Sequence, residues 1–172
     1  MKSLITKRLP ISFALLSIML LLTACGWHLR GLLDLSPQLK QVYIKTRTPN
    51  SPLVFELKQL LRANHATVVS DPNLAKSIVI LSPLRIQNRL TSQTGGGEAG
   101  QYTLTMSITF SVRSSNGKVL LPDTLIQASR QYNSNASQVL SNNSKINTLS
   151  RQMRSQIANS IVNQLAKIPD SK

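Results

Sequence analysis

Several residue types are scarce in this sequence, and each scarcity argues against a class of protein. The 172 residues include one cysteine, Cys25, so no disulfide can form within the chain and packing has to hold the fold. Only six residues are acidic, and no two of them have the spacing of a catalytic carboxylate pair or a metal site. Neither histidine, His28 or His65, has a carboxylate or cysteine at metal-ligand spacing. We therefore predict neither an enzyme nor a metal protein, and the sequence indicates no cofactor.

The N-terminal residues have the parts of an export signal. Lys2, Lys7 and Arg8 supply positive charge, and an apolar run over residues 11–22 follows, broken only by two serines. This run is typical of a secretory signal, because a membrane-spanning helix needs about 20 apolar residues. No later stretch of the sequence is long and apolar enough to span a membrane. We therefore assign residues 1–24 as a signal peptide.

The junction after the signal, Leu22-Thr23-Ala24-Cys25, resembles a bacterial lipobox. The resemblance implies that the Cys25 thiol receives a diacylglyceryl group, that the chain is cut before Cys25, and that the new amino terminus is palmitoylated. Two or more acyl chains give stable membrane anchoring. The alternative is an ordinary signal peptide cut near Ala24, which leaves Cys25 as a free thiol in an oxidising compartment. Gly26 stands where an aspartate would resemble an inner-membrane retention signal, so the resemblance favours the outer membrane.

The chain after the signal, residues 25–172, is strongly basic. It keeps all six acidic residues and 17 of the 20 basic residues, which gives a net charge of +11. Such a charge favours an anionic partner. Export argues against nucleic acid, and so does the lack of a basic helical stripe or an aromatic stacking surface, so we expect no nucleic-acid partner. Anionic lipid or lipopolysaccharide is the favoured partner, and simple solubility is the alternative explanation of the charge.

Hydrophobic periodicity predicts one α+β domain over residues 37–168. A lipidated tether over residues 25–36 precedes it, and a C-terminal tail over residues 169–172 follows. Alternating or β-branched segments predict strands at residues 41–45, 66–69, 77–89, 102–113 and 118–132.

The strand predicted over residues 77–89 contains Pro83, which cannot donate a hydrogen bond and therefore predicts an edge or a bulge. The apolar residues at positions 78, 80, 84 and 86 have the same parity, so we expect them to share one face.

Turn residues predict two hairpins. The glycine-rich segment over residues 92–100 leads into a strand rather than a helix, which favours a hairpin loop over a phosphate cradle. Asn116-Gly117 predicts a tight turn, and Pro122-Asp123 predicts a bulge in the returning strand.

Two amphipathic helices are expected. Ser51 is suited to cap the first helix, with Pro52 at its first position, and Asn64 is suited to end it in a left-handed conformation. The second helix is clear from Ile146, with Asn147 or Thr148 as its cap, and it ends before Pro169. The polar residues 133–144 are either a loop or the first turns of that helix.

The segment Cys25-Gly26-Trp27-His28-Leu29-Arg30-Gly31 resembles the start of mature lipoproteins of the LptE lipopolysaccharide-assembly family. The order of later features is also similar: Pro52-Leu53 opens a helix that ends in Gln59-Leu60-Leu61-Arg62-Ala63-Asn64, Gln101-Tyr102 opens a long strand, Arg130 precedes an aromatic residue, and an amphipathic helix follows. The resemblance implies two helices against one face of a mostly antiparallel sheet, which we expect here to have four to five strands.

The resemblance also implies a function and a place. Members of the family plug the lumen of the LptD β-barrel in a one-to-one complex and help to deliver lipopolysaccharide to the outer leaflet. The chain would then be anchored by lipid to the outer membrane, with its domain facing the periplasm and lying inside the barrel. The alternative is a generic periplasm-facing lipoprotein with a structural or envelope-binding role.

The family binds lipopolysaccharide through basic residues on loops and strand ends. Arginine and lysine bind phosphate through charge-assisted hydrogen bonds. The alternative for each basic residue is a solvated charge, and the Thr/Ser face of the strand at 102–113 can instead meet the water-filled barrel wall. Five basic residues near the predicted strand ends and loops are candidates for contact with lipid A or core phosphates: Arg85, Arg89, Lys118, Arg130 and Lys145.

Overall fold

The computed structural model describes residues 33–93, 99–135 and 139–170, all within one compact unit, Leu32–Lys172. Two short 3-10 helices, Pro37–Leu39 and Pro72–Leu74, flank the first part of the sheet. The main elements of the described residues, in chain order, are β1 (Gln41–Thr46), α1 (Pro52–Ala63), β2 (Thr67–Val68), β3 (Ser77–Leu81), β4 (Arg85–Gln93), β5 (Ala99–Ser114), β6 (Val119–Asn135) and α2 (Val139–Leu165).

The sheet is built around β5, which has 16 residues. Along one edge, β5 pairs with β6 in antiparallel fashion from Ala99 to Arg113. Along the other edge, β5 pairs first with β4 and then with β3, both antiparallel. β1 continues the sheet by pairing parallel with β3, and β2 pairs parallel with β1.

The prediction of an α+β fold with two helices is confirmed, but the sheet differs from the expected one. Among the described residues it has six strands rather than four to five, and two of its five strand pairs are parallel, although three are antiparallel as expected. The parallel pairs arise because the chain leaves β1, passes through α1, and returns in the same direction to β2 and β3. Periodicity predicts individual strands and carries no information on the direction in which they pair.

The strand predicted over residues 77–89 is two strands along one edge of β5, with Pro83 at the break between them. Leu81 pairs with Phe110 and Arg85 pairs with Ser107, so the connection has one more residue than the opposite strand. A bulge of one residue exchanges the faces of a strand. The prediction of a single face for positions 78, 80, 84 and 86 is therefore wrong: in β3 the buried residues are Ser77, Val79 and Leu81.

Helix α1 begins and ends at the predicted residues, Pro52 and Ala63, but the conformation after its last residue differs from the prediction. Ser51 Oγ accepts a hydrogen bond from the Val54 N–H at 3.4 Å, and Pro52 is the first helical residue. Asn64 has φ −98°, so its predicted left-handed conformation is wrong, and His65 with φ 62° is the left-handed residue. The Asn64 side chain has another role, because its Nδ2 donates to the Leu60 carbonyl and its Oδ1 accepts from the Leu33 N–H, both at 2.8 Å.

Helix α2 is longer than the periodicity indicated. It spans 27 residues from Val139, so the polar segment at 139–144 is helical and the proposed caps Asn147 and Thr148 lie inside the helix. Ile146 and Leu149 are half-buried and pack against the core, which holds this polar half in place. The helix ends at Leu165, before Pro169, as predicted. None of the described helices is both long and apolar enough to cross a membrane.

The core lies between the two helices and one face of the sheet, which we call the inner face. Both helices contribute fully buried residues, such as Leu57 of α1 and Ile157 of α2. Glu56 of α1 accepts a hydrogen bond from Ser155 of α2, which joins the helices. The predicted alternation of β5 is confirmed, because one parity is buried on the inner face: Leu104, Met106, Ile108, Phe110 and Val112.

The β5–β6 hairpin has the predicted turn and bulge. Gly117 has φ 87°, a conformation that glycine adopts without steric cost, and its N–H donates to the Ser114 carbonyl at 2.9 Å. Phe110 pairs with Thr124 while Val112 pairs with Leu121, so an extra residue of β6 lies at Pro122-Asp123. The bulge increases the local twist of this long ribbon.

Candidate functional site

The sheet face opposite the helices, which we call the outer face, carries hydroxyl groups along its centre. Thr103, Thr105, Ser107 and Thr109 of β5 are half-buried there. Because directly paired residues of neighbouring strands point to the same side, the register of β4 adds two arginines to this face. Arg85 pairs with Ser107, and Arg89 pairs with Thr103.

Two open clefts lie along the outer face, one at each arginine. The first has a volume of about 650 Å³ and is lined by Arg47, Arg85, Ser107, Thr109 and Leu125, among others. The second also has about 650 Å³, and its lining includes Gln87, Arg89, Thr105 and Gln127. The first cleft therefore combines two guanidinium groups with hydroxyl groups, and the second combines one guanidinium group with hydroxyl and amide groups.

The electrostatic character of these clefts is positive. β4 and β5 contain no acidic residue. Within the described part of the chain, the side chains of Arg85 and Arg89 make neither a hydrogen bond nor an ion pair. Among the described residues, the carboxylate of Asp123 lines a neighbouring cleft together with Arg47. Guanidinium groups without a protein partner are available to bind anionic oxygens, such as those of phosphate, in a bidentate manner.

The five predicted lipopolysaccharide contacts do not form one site. Arg85 and Arg89 lie four positions apart on the same face of β4. Lys118 lies beyond the end of β5, at the β5–β6 turn, and the seven residue steps from Ser107 to Ser114 correspond to roughly 23 Å of strand. Arg130 and Lys145 lie on the helix side of the sheet.

Arg130 and Lys145, expected near a strand end and a loop, both lie inside regular elements. Arg130 lies within β6 and pairs with the buried Leu104, so it is on the inner face. Its guanidinium donates to Gln156 Oε1 of α2 and to the Ser129 carbonyl, both at 2.8 Å. Lys145 lies within α2, not in a loop, and lines a groove of about 580 Å³ between α2 and the end of β6. Arg130 therefore has a structural contact, and Lys145 is exposed.

Sequence reasoning missed basic residues that the fold adds to the outer face. Lys45 pairs with Ile80, and Arg113 pairs with Ile78, which places both on that face. The polar parity of the strand at 102–113 could have indicated Arg113. No signal in the sequence indicated Arg47. This residue follows β1, and only the pairing of β1 with β3 brings it to the first cleft.

The described residues bring together no groups that resemble a catalytic or metal centre. No set of three His, Cys, Asp or Glu side chains in residues 33–93, 99–135 and 139–170 lies close enough to hold a metal ion. The arrangement supports binding of an anionic or hydroxyl-rich surface on the outer face. Cys25, the predicted lipid-attachment residue, lies outside the described residues.

Fold and site together define a class of protein: an α+β domain with one sheet face covered by two helices and the other open, polar and basic. The LptE model, described as lipopolysaccharide-assembly, matches residues 39–165. The chain belongs to the LptE family. The family is not enzymatic, which confirms the prediction that this protein is not an enzyme.

Two curated relatives illustrate this membership. The LPS-assembly lipoprotein LptE of Photorhabdus laumondii is 26% identical over 164 residues, which cover 92% of this chain and 86% of the relative. The protein of the same name from Yersinia enterocolitica is 27% identical over 162 residues, which cover 88% of this chain and 73% of the relative. This protein is accordingly a lipoprotein of lipopolysaccharide assembly.

Solved structures agree on the fold. An NMR structure of lipoprotein B from Nitrosomonas europaea superposes with a TM-score of 0.69 at 18% identity, covering 82% of this chain and 90% of that one. A minor lipoprotein from Acinetobacter baumannii gives a TM-score of 0.64 at 19% identity, covering 78% of this chain and 97% of that one. At these identities the likeness shows the fold alone.

Proposed function

We propose that this protein is an outer-membrane lipoprotein that occupies the lumen of an LptD β-barrel, supports assembly of that barrel, and helps to deliver lipopolysaccharide to the outer leaflet. The observation that carries the proposal is the open outer face. A long strand with hydroxyls on one side and no acidic residue suits a polar, wet enclosure better than an apolar interface. The interior of a membrane β-barrel is such an enclosure.

The outer face also suits contact with lipopolysaccharide. Lipid A carries phosphates, and Arg85 and Arg89 offer guanidinium groups that no described carboxylate neutralises. We propose these two residues, with Arg47, as the main phosphate contacts. Lys118, Arg130 and Lys145 remain candidates with weaker support, because each lies apart from the two clefts.

Cys25 is proposed as the lipid-attachment residue, with an S-diacylglyceryl group and an N-palmitoyl group. The short export signal and the small residues before the cysteine support this role. The anchor would hold the domain at the periplasmic side of the outer membrane while the domain enters the barrel. Replacement of Cys25 by serine, combined with exchange of residues 1–24 for an ordinary cleavable signal peptide, should release the mature chain from the membrane fraction.

Co-purification tests the partner. The full chain and the LptD of the same bacterium are expressed together, extracted in mild detergent, and purified through a tag on this protein. We expect a stable complex with one copy of each chain, measured by light scattering. Recovery of the lipoprotein as a free monomer, with the barrel expressed and folded, would favour the generic envelope lipoprotein instead.

A further inference from the structure

Among the described strands of this length or longer, only β4 has no buried residue. All nine of its residues are exposed. It pairs with β5 along one edge, and no described strand pairs with its other edge. A regular strand with one open edge presents unpaired N–H and C=O groups to any extended chain.

The open edge begins where β1 stops. β1 lies beside β3 up to the pair Thr46–Leu81, and the chain then turns away toward α1. Since β3 and β4 lie along the same edge of β5, the position that β1 fills beside β3 is empty beside β4 in the described part of the chain. A strand added there would continue the sheet.

The other free edges suit an added strand less well. β2 has only two residues. The outer edge of β6 is interrupted near its start by Pro122 and by two shifts of register, and in the regular part that follows its inner-face residues Ile126, Ala128 and Tyr132 are buried and unavailable to a neighbouring strand. Proline and bulges are features that protect strand edges from pairing. β4 has no proline, and its register with β5 is regular from Arg85 to Leu90.

The two faces of β4 differ in chemistry. Arg85 and Arg89 lie on the outer face, and Ile86 and Leu90 lie on the inner face. Ile86 is 53% exposed and Leu90 is 45% exposed, so neither helix covers them. In a sheet, a neighbouring strand places side chains directly beside those of its partner, and opposite charges and apolar pairs stabilise the contact. The complementary chain is an extended segment that alternates acidic and apolar residues.

Two other occupants of the open edge of β4, a second copy of β4 and the tether of this chain, are disfavoured. Antiparallel pairing of two copies of β4 about Gln87 sets Arg85 directly opposite Arg89 of the second copy, and like charges in that position destabilise a sheet. The predicted tether of this chain, residues 25–36, contains one acidic residue, Asp34. Its neighbour Leu33 is bonded to Asn64 at the end of α1, and Leu35 is buried in the core.

We propose that β4 is a docking edge at which an extended segment of the barrel partner, with alternating acidic and apolar residues, adds a strand to this sheet. The proposal rests on the proposed function for the existence of that partner. Backbone hydrogen bonds along the edge provide affinity for any extended segment. The side chains on the two faces of β4 provide specificity for a segment with the complementary pattern.

Amide hydrogen exchange tests the edge directly. The full chain is measured alone in detergent and in the co-purified complex with LptD. The outward-pointing amides of residues 85–90 should exchange at least ~10-fold more slowly in the complex, as amides do on entering a hydrogen-bonded ladder. The exposed turn at Asn116 and Gly117 provides an internal control that should change little.

A charge variant distinguishes an added strand from simple coverage. Arg89→Glu should remove at least half of the protection of β4 in the complex and weaken the complex by about 10-fold, a loss of about 1.4 kcal/mol. Arg62→Glu, at an exposed position of α1, is the matched control and should leave both quantities unchanged. Circular dichroism of both variants verifies that the sheet remains folded.

Other outcomes would overturn the inference in recognisable ways. An intact complex in which β4 exchanges as fast as in the free chain would exclude the docking edge and leave the proposed function standing. Protection of β4 that appears with concentration in the free chain would assign the edge to a second copy. Protection in the free chain that is lost when residues 26–32 become a Gly-Ser linker would assign it to the tether. Failure to form any complex would instead count against the proposed function.

Discussion

The two ends of the β5–β6 ribbon are built differently. At one end, which we call the packed half, β1, β3, α1 and the second half of α2 enclose the ribbon. Leu57, Phe110 and Ile161 have at most 1% of their surface exposed there. At the other end, which we call the extended half, the ribbon carries β4 and the first half of α2. Ile86 and Leu90 are about half exposed, and Leu140 is 85% exposed.

The packed half stabilises the fold, and the extended half offers surfaces for recognition. The burial of apolar side chains in the packed half stabilises the domain. The extended half gains less from burial and leaves the outer face, both faces of β4 and one strand edge available to other molecules. The extended half is held by the pairing of β4 with β5 and of β5 with β6, and by a few polar contacts. One of these contacts is the hydrogen bond from Asn88 Nδ2 to the Tyr132 hydroxyl at 2.6 Å. Tyr132 also stacks on Tyr102, with ring centroids 5.6 Å apart.

The same substitution in each half should give the largest contrast. Leu57→Ala, at a fully buried position of α1, should lower the free energy of unfolding by about 2–5 kcal/mol because it leaves a cavity. Leu90→Ala in β4 should lower it by less than about 1 kcal/mol, since the side chain is half exposed. Chemical denaturation of the full-length chain measures both. Equal losses would show that the extended half is packed as tightly as the other, and the division would be wrong.

Charge reversal should affect lipopolysaccharide binding through the extended half. Arg85→Glu combined with Arg89→Glu should weaken binding by about 100-fold or more, because two hydrogen bonds to charged groups contribute about 1.5–3 kcal/mol each. Lys118→Glu, at the turn in the packed half, should change binding by less than about 2-fold. Titration with fluorescent lipopolysaccharide in detergent provides the measurement. A larger effect at Lys118 would move the binding surface to the opposite end of the ribbon.

A smaller effect is expected where the chain enters the packed half. Asn64→Ala removes the amide that bonds both the Leu60 carbonyl and the Leu33 N–H. The loss of two local hydrogen bonds should lower the free energy of unfolding by about 1–2 kcal/mol. Asn73→Ala is a suitable control, because the Asn73 side chain lies in an exposed turn and only its backbone N–H is bonded, to Asp71 Oδ1. An equal cost at both positions would show that Asn64 does not fix the start of the domain.

Local patterns predicted the parts of the fold that depend on neighbours in sequence. The alternation in β5, the Ser51 and Pro52 start of α1, the Gly117 turn and the bulge at Pro122 are all present. Each is decided within a few residues by sterics and short-range hydrogen bonds. The errors arose where distant segments meet. His65 rather than Asn64 is left-handed, and the Asn64 side chain is instead bonded to the N–H of Leu33, which lies 31 residues earlier.

The prediction of the candidate site likewise succeeded for local features and failed for those that depend on distant segments. The sequence supplied the excess of positive charge and the polar parity of β5. It could not show that Arg85 and Arg89 lie together while Lys118, Arg130 and Lys145 lie elsewhere, because the one-residue shift at Pro83 and the inner-face position of Arg130 depend on strand pairing. It also gave no sign that Arg47 joins Arg85 in one cleft.

By itself, the sequence determined the class of this protein. One cysteine after a short apolar signal, few acids, a net basic charge and an unbroken alternating strand favour a basic lipoprotein domain with one buried sheet face, because composition and periodicity are properties of the chain alone. The tertiary structure decided which residues share a surface. Strand direction, the register across Pro83 and the early stop of β1 set the basic outer face and the open edge of β4, since these depend on pairing between segments far apart in the chain.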